Sequence, residues 1–172
     1  NNVNIIVLAD RSTTGDKVRG YTDRAVGGIP NWTGTKLFYL EKGKLRQLAD
    51  LGELNMGDPA NLKGFLEAVM SQFPAKRYGL VFGNHGEGWH GIVGDESHGG
   101  DTLNAGELPN ALKEVTVKTG KLELIGFDAC LMANFETAQA IHPYGKAMVA
   151  SEELEPGDGW SYTPTMQALT AT

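Results

Sequence analysis

Short apolar runs and amphipathic stretches follow one another along the chain and predict strands and helices. Val3 to Ala9 and Tyr78 to Phe82 are continuous apolar runs, which are typical of strands buried on both faces. Lys36 to Glu41 and Lys44 to Leu48 lie on either side of Gly43, and this pattern predicts a β-hairpin.

Helical spacing is clearest after Asp58-Pro59, where Asp58 can cap a helix and Pro59 suits its first turn. The apolar positions that then share one helical face are Leu62, Phe65, Leu66, Val69, Met70 and Phe73. A second helix is predicted from Glu107 to Lys118 and a third from Leu131 to Ile141, where Pro143 stops it.

Two further strands, Leu122 to Phe127 and Lys146 to Ala150, complete an alternation of strands and helices. This order predicts an α/β fold with a mostly parallel sheet and helices on both faces. In such sheets, ligands bind in the loops beyond the carboxyl ends of strands. The loops after Phe82 and after Phe127 are therefore the first places to look for a site.

Composition restricts the classes of partner. The 172 residues fit one domain, and a net charge of −6 disfavours nucleic acid and anionic membranes as partners. The single cysteine excludes an internal disulfide, and no apolar run is long enough to span a bilayer. The first residues show no signal-peptide pattern.

A histidine and a cysteine occupy the two loops that the sheet argument selects. His85 lies in Gly83 to Trp89 and Cys130 lies in Gly126 to Met132, each directly after an apolar strand. A thiolate is a nucleophile that needs a nearby base or a lowered pKa, and the dipole of the following predicted helix would favour a negative sulfur. A lone cysteine is most often a small buried hydrophobe and a loop histidine is most often solvated, so only their joint placement predicts a catalytic pair.

The motifs His85-Gly86 and Asp128-Ala129-Cys130 resemble those of the caspase-like cysteine peptidases, and above all those of the clostripain family. Residues 81–91 and 124–136 are similar to its two signature blocks. Shorter matches follow in the same order over nearly the whole chain, at Asp10-Arg11, Trp32 to Thr35, Leu54 to Asp58 and Ser151 to Glu153.

The resemblance implies a caspase-like three-layer sandwich and a cysteine endopeptidase that cleaves after a basic residue, with Arg preferred over Lys. It implies that His85 is the base or acid and that Cys130 is the nucleophile. The backbone N–H groups of Gly86 and Cys130 would form the oxyanion hole. Asp128 and Asp158 would face the basic side chain, although Asp128 could instead cap a loop and Asp158 could belong to a simple turn.

Further expectations come from the same resemblance. Family members usually continue further, so residues 1–172 would be a single catalytic domain that is either truncated at its C-terminus or minimal. Secretion or attachment to the envelope of a bacterium, a monomeric state and a peptide or protein substrate are implied. No cofactor is required, and calcium is allowed because Asp95, Glu96 and Asp101 could supply oxygen ligands. No Lys or Arg lies between Arg77 and Lys113, so the loop between the catalytic strands offers no basic site for self-cleavage.

Three rival hypotheses stay open. A metal-dependent hydrolase could use the histidine and acidic residues of the 85–101 loop, although their spacing differs from the helical zinc motif. Residues 86–91 fit the glycine pattern of dinucleotide-binding loops, but no apolar helix follows them. An inactive caspase-like binding module would keep the fold without the chemistry.

Overall fold

The computed structural model describes residues 3–12, 25–41 and 44–170. The hairpin turn at Gly43 and much of the glycine-containing loop before Thr33 lie outside the described residues. Contacts divide the described chain into two compact units. We call residues 3–55, 96–99 and 161–170, where described, the antiparallel unit, and residues 56–95 and 100–160 the parallel unit.

Three strands form the sheet of the antiparallel unit: β1 (Ile6–Arg11), β2 (Gly34–Glu41) and β3 (Lys44–Gly52). Both strand pairs are antiparallel, with β2 in the centre, so the predicted hairpin is confirmed. The expectation that the first strand is buried on both faces was wrong. Its side chains are mostly half-buried because its partner is the hairpin and not a parallel strand flanked by helices.

The parallel unit alternates strands and helices in the predicted order. Its elements are α1 (Pro59–Gln72), β4 (Gly79–Gly83), β5 (Ile92–Asp95), β6 (Asp101–Leu103), α2 (Leu108–Thr119), β7 (Leu124–Asp128), α3 (Phe135–Ile141) and β8 (Met148–Val149). The Asp58 carboxylate accepts the Ala60 N–H at 2.8 Å, as expected of the residue that caps α1.

The parallel sheet has the order β4-β7-β8, with β7 in the centre. The rings of Phe82 and Phe127 stack on the two neighbouring strands, with centroids 5.3 Å apart. Leu80, Ile125 and Phe127 lie in a buried cluster to which α1, α2 and α3 also contribute apolar side chains. This packing fixes the carboxyl ends of β4 and β7 beside each other.

Three local features differ from the sequence-based expectations. Helix α3 begins at Phe135 and not at Leu131, because the side chain of Asn134 caps it by accepting the Thr137 N–H at 2.8 Å. The long loop after β4 contains the antiparallel pair β5–β6. The antiparallel unit also contains a helix that the sequence did not predict, α4 (Tyr162–Thr170). Among the described residues, no helix has the length and apolarity that a membrane span needs.

Candidate active site

The register of the parallel sheet places His85 and Cys130 at equivalent positions. Gly83 of β4 is paired with Asp128 of β7, and each of the two candidate residues follows its paired position by two. Because parallel strands end at the same edge of a sheet, the two loops leave the sheet side by side. The structure thus brings together the loops that the sequence singled out.

Gly86 is the point at which these loops touch. It is buried, and a Cβ atom built on it would collide with the carbonyl oxygen of Cys130. The same atom would lie 3.0 Å from the Cβ of Ala129 and 3.1 Å from the Cγ of Met132. Only a glycine lets the backbone after His85 approach the backbone of Cys130 this closely.

Local hydrogen bonds hold the loop that carries His85. The N–H of Glu87 donates to the carbonyl of Gly91 at 2.9 Å, and Gly86 forms an isolated antiparallel bridge with Ile92. Asn84 accepts the backbone N–H of His85 through its side chain at 2.5 Å. The imidazole of His85 is exposed on this fixed loop, where a substrate could reach it.

Cys130 is half-buried, and its sulfur points toward the segment that follows β8. The Glu155 N–H donates to the Cys130 sulfur at 3.3 Å. The expectation that a helix dipole acts on this sulfur was wrong, because α3 starts only at Phe135. A backbone N–H from a distant part of the chain faces the sulfur instead.

The residue after the cysteine has a strained backbone. Leu131 has a φ of 63°, a left-handed conformation that costs a branched residue roughly 1–2 kcal/mol. Its N–H donates to the carbonyl of Glu153 at 3.0 Å, and the N–H of Ala133 donates to the carbonyl of Ser151 at 2.9 Å. The segment Ser151 to Glu153 therefore holds the turn that presents Cys130.

Asp128 and Asp158 are associated with the same turn after β8, but in different ways. Asp128 is half-buried, and both of its carboxylate oxygens accept the N–H of Trp160, at 3.0 and 3.2 Å. Asp158 is exposed in the turn that closes with the Gly159 N–H donating to the Pro156 carbonyl at 2.8 Å. Asp128 thus caps a loop, one of the two roles considered from the sequence, and the loop that it caps carries Asp158.

Two residues near the site were missed by the sequence reasoning. The ring of Trp160 lies on Gly126 of β7, where a Cβ atom would come within 3.0 Å of the indole. Its indole N–H donates to the Glu155 carboxylate at 3.1 Å, and Glu155 in turn approaches the Cys130 sulfur through its backbone. A tryptophan directly after a Pro-Gly-Asp-Gly turn was the signal that could have drawn attention to this segment.

The loop 85–101 does not gather a metal site within the parallel unit. Among the described residues of that unit, no three histidine or acidic side chains come close enough to hold one ion. Asp95 is buried, and its carboxylate accepts the Met56 N–H at 2.9 Å. The glycine pattern at 86–91 ends in β5 and not in a helix, so it lacks the helix N-terminus that a dinucleotide-binding loop requires.

Comparison with known proteins identifies the family of this chain. The sequence matches the model of the Clostripain family over residues 1–172. It is 29% identical over 200 residues to clostripain from Hathewaya histolytica, an alignment that covers 99% of this chain and 36% of that protein. The chain therefore spans well under half the length of this curated relative.

Two solved structures confirm the predicted fold class. One is a secreted C11 cysteine protease from Bacteroides thetaiotaomicron in complex with an irreversible peptide inhibitor, with a TM-score of 0.69, 28% identity and coverage of 78% of this chain and 40% of that one. The other is an inactive zymogen C11 protease from Parabacteroides distasonis, with a TM-score of 0.58, 26% identity and coverage of 75% and 37%. From the match over its whole length and the agreement of these folds, the chain belongs to the clostripain family.

Proposed function

We propose that the protein is a cysteine endopeptidase in which His85 and Cys130 form the catalytic dyad. The observation that carries this proposal is the contact of Gly86 with the backbone of Cys130, on loops that leave paired positions of β4 and β7. This contact holds an exposed imidazole and a half-buried thiol on adjoining loops at one sheet edge. Membership of the clostripain family supports the same assignment.

In the proposed reaction, His85 accepts the proton of Cys130 and the thiolate attacks the carbonyl carbon of the substrate. The Glu155 N–H, which faces the sulfur at 3.3 Å, is placed to stabilise its negative charge. His85 then donates the proton to the leaving amine, and water releases the acyl group from the sulfur by the reverse sequence of transfers.

The oxyanion of the tetrahedral intermediate would be bound by the backbone N–H groups of Gly86 and Cys130. Among the hydrogen bonds of the described residues, neither of these amides serves as a donor. Two backbone N–H groups that donate to no group among the described residues, on touching loops, are available to an acceptor supplied by the substrate.

For specificity, we propose that Asp128 and Asp158 select a basic residue before the cleaved bond, with Arg preferred over Lys. Asp158 is an exposed acid on the turn that Asp128 holds, and Glu155 adds a third carboxylate on the same segment. A guanidinium presents a planar fork that can meet more than one carboxylate, whereas an ammonium is a point charge.

The proposal also covers the location, the substrate class and the oligomeric state of the protein. We infer secretion or attachment to the envelope of a bacterium, because one of the similar proteins is described as secreted. Membership of the clostripain family supports a peptide or protein substrate, and the net charge of −6 disfavours nucleic acid and anionic membranes. We propose a monomer whose dyad needs no cofactor, and loss of activity on adding a chelator would show that calcium is required.

The decisive experiment uses the full-length protein and a set of peptides that differ only in the residue before the cleaved bond. We expect cleavage after Arg, slower cleavage after Lys, and stoichiometric alkylation of Cys130 by iodoacetamide that stops turnover. Alkylation without any peptide cleavage would instead indicate an inactive binding module. Turnover that survives alkylation would exclude the cysteine mechanism.

A further inference from the structure

A large aromatic side chain is exposed on the loop that carries His85. Trp89 lies in a single 3₁₀ turn, Gly88–His90, and is 54% exposed. The turn is bonded to the segment before α2, where the Ala105 N–H donates to the Trp89 carbonyl at 3.3 Å. The indole lies against the imidazole of His90, with ring centroids 3.9 Å apart. A tryptophan that is held in place but left outside the core is available for binding.

The backbone beside Trp89 reaches the residue that follows the nucleophile. A Cβ atom on Gly88 would lie 3.6 Å from the carbonyl oxygen of Leu131, and the turn also contacts α3. Leu131 is itself 41% exposed in its left-handed conformation. Two exposed apolar side chains are therefore carried on backbone segments that pack against each other next to Cys130.

The direction of the substrate follows from the chemistry of the dyad. The segment 153–160 contacts the sulfur, carries Asp158 and is bonded to Asp128, the two acids proposed to bind the residue before the cleaved bond. The leaving amine must come within hydrogen-bond reach of His85, since His85 gives it a proton. The peptide beyond the cleaved bond therefore leaves along the loop of His85, and Trp89 is the exposed apolar side chain of that loop.

We propose that Trp89, together with Leu131, binds an apolar or aromatic side chain of the residue that follows the cleaved bond. This inference rests on the proposed peptidase function. It adds a side-chain preference for the residue after the cleaved bond, which departs with the leaving amine. Covering the exposed indole with an apolar side chain should favour phenylalanine or leucine over glycine there by roughly tenfold. The exposed Glu87 on the same loop should disfavour an acidic side chain.

Acyl transfer to added amines tests this preference directly. The enzyme is acylated with an arginine ester, and phenylalaninamide or glycinamide then competes with water for the acyl group. The amine nitrogen forms a bond to the acyl carbon, the carbon–sulfur bond breaks, Cys130 leaves as a thiolate and His85 takes the proton of the amine. The ratio of amide to acid product, measured by chromatography, reports how well the added amine binds, separately from the rate of acylation.

We expect the native protein to favour phenylalaninamide over glycinamide by roughly tenfold, and Trp89→Ala to remove most of that preference. Trp89→Phe, which keeps an aromatic surface at this position, should retain it. Val117→Ala is the matched control, because Val117 is an apolar residue of α2 that is 81% exposed. It should leave the preference unchanged.

Three results would overturn the inference, and they separate the role of Trp89 from the proposed function. Equal use of the two amines by the native protein, or an unchanged preference in Trp89→Ala, would refute the role of Trp89 alone. Absence of any acyl-enzyme or hydrolysis in the native protein would refute the proposed function and this inference together.

Discussion

Replacing Gly86 by alanine tests whether the touching loops create the site. The added methyl group would collide with the carbonyl oxygen of Cys130 and would crowd Ala129 and Met132 at 3.0 and 3.1 Å. Backbone atoms form the hardest of these contacts, so a side-chain rotation cannot relieve it. The loops must separate by roughly 1 Å to restore an ordinary contact distance.

Two effects of different size follow from that separation. Inserting a methyl group into a well-packed interior typically costs about 1–3 kcal/mol of stability. A misplacement of about 1 Å between reacting groups can cost roughly a hundredfold in rate. We therefore expect Gly86→Ala to remain folded, with a lowered midpoint in urea, and to lose about a hundredfold or more in kcat/KM on an arginine substrate.

Gly83→Ala is the matched control for this variant. Gly83 is three residues earlier on the same strand end, and a Cβ atom built there meets nothing within 4 Å. Its midpoint in urea should stay close to that of the native protein. Activity of Gly86→Ala within about threefold of the native value, in the urea-free assay, would refute the argument that this contact aligns the dyad, since a 1 Å shift should cost far more.

The remaining predictions concern the individual site residues. Cys130→Ala should abolish peptide cleavage and alkylation without loss of folding, as circular dichroism would verify, and any residual turnover in it would count against the cysteine mechanism. His85→Ala should lower kcat/KM by roughly 10²–10⁴-fold, whereas His142→Ala, at the exposed end of α3, should change it little; equal losses would mean that another histidine is the base. Asp158→Ala should reduce kcat/KM about tenfold to a hundredfold on an arginine substrate and much less on its norleucine counterpart, because one charge-assisted contact contributes roughly 1.5–3 kcal/mol; equal losses on the two substrates would make Asp158 structural. Asp128→Asn should lower the midpoint in urea and also kcat/KM on both the arginine and the norleucine substrate, because the Asp128 carboxylate accepts the N–H of Trp160. Mass spectrometry of an aged sample should show no self-made cut between Tyr78 and Leu112, where the chain has no Lys or Arg, and a cut that is absent from Cys130→Ala would contradict the basic specificity.

The periodicity of apolar residues was sufficient to predict the parallel unit in outline. Strands β4 and β7 and helices α1 and α2 were expected within a few residues of their observed limits, because their apolar runs and caps are local features. The sheet-edge rule then selected the loops of His85 and Cys130 without any knowledge of contacts.

Local patterns were a poorer guide where a distant segment supplies the partner. The helix predicted from Leu131 is replaced up to Asn134 by a turn in which the Leu131 N–H donates to the distant carbonyl of Glu153. The first strand was predicted to be buried on both faces, yet its partner is the hairpin strand β2 and its side chains are mostly half-buried. In both cases the neighbouring residues indicate a local conformation, but the hydrogen-bond partner that decides the structure lies far away along the chain.

The amino-acid sequence was enough to identify the candidate dyad, the order of the elements that carry it and the resemblance to the clostripain family. The folded structure was needed to show how these residues are held. It placed Gly86 against Cys130, directed the Glu155 N–H at the sulfur, made Asp128 the cap of the turn that carries Asp158, and left Trp89 exposed beside the site. The physical reason is that reactive residue types and the periodicity of helices and strands are visible in short stretches of sequence. Hydrogen bonds and close approaches between distant loops depend instead on how the whole sheet and its connections pack.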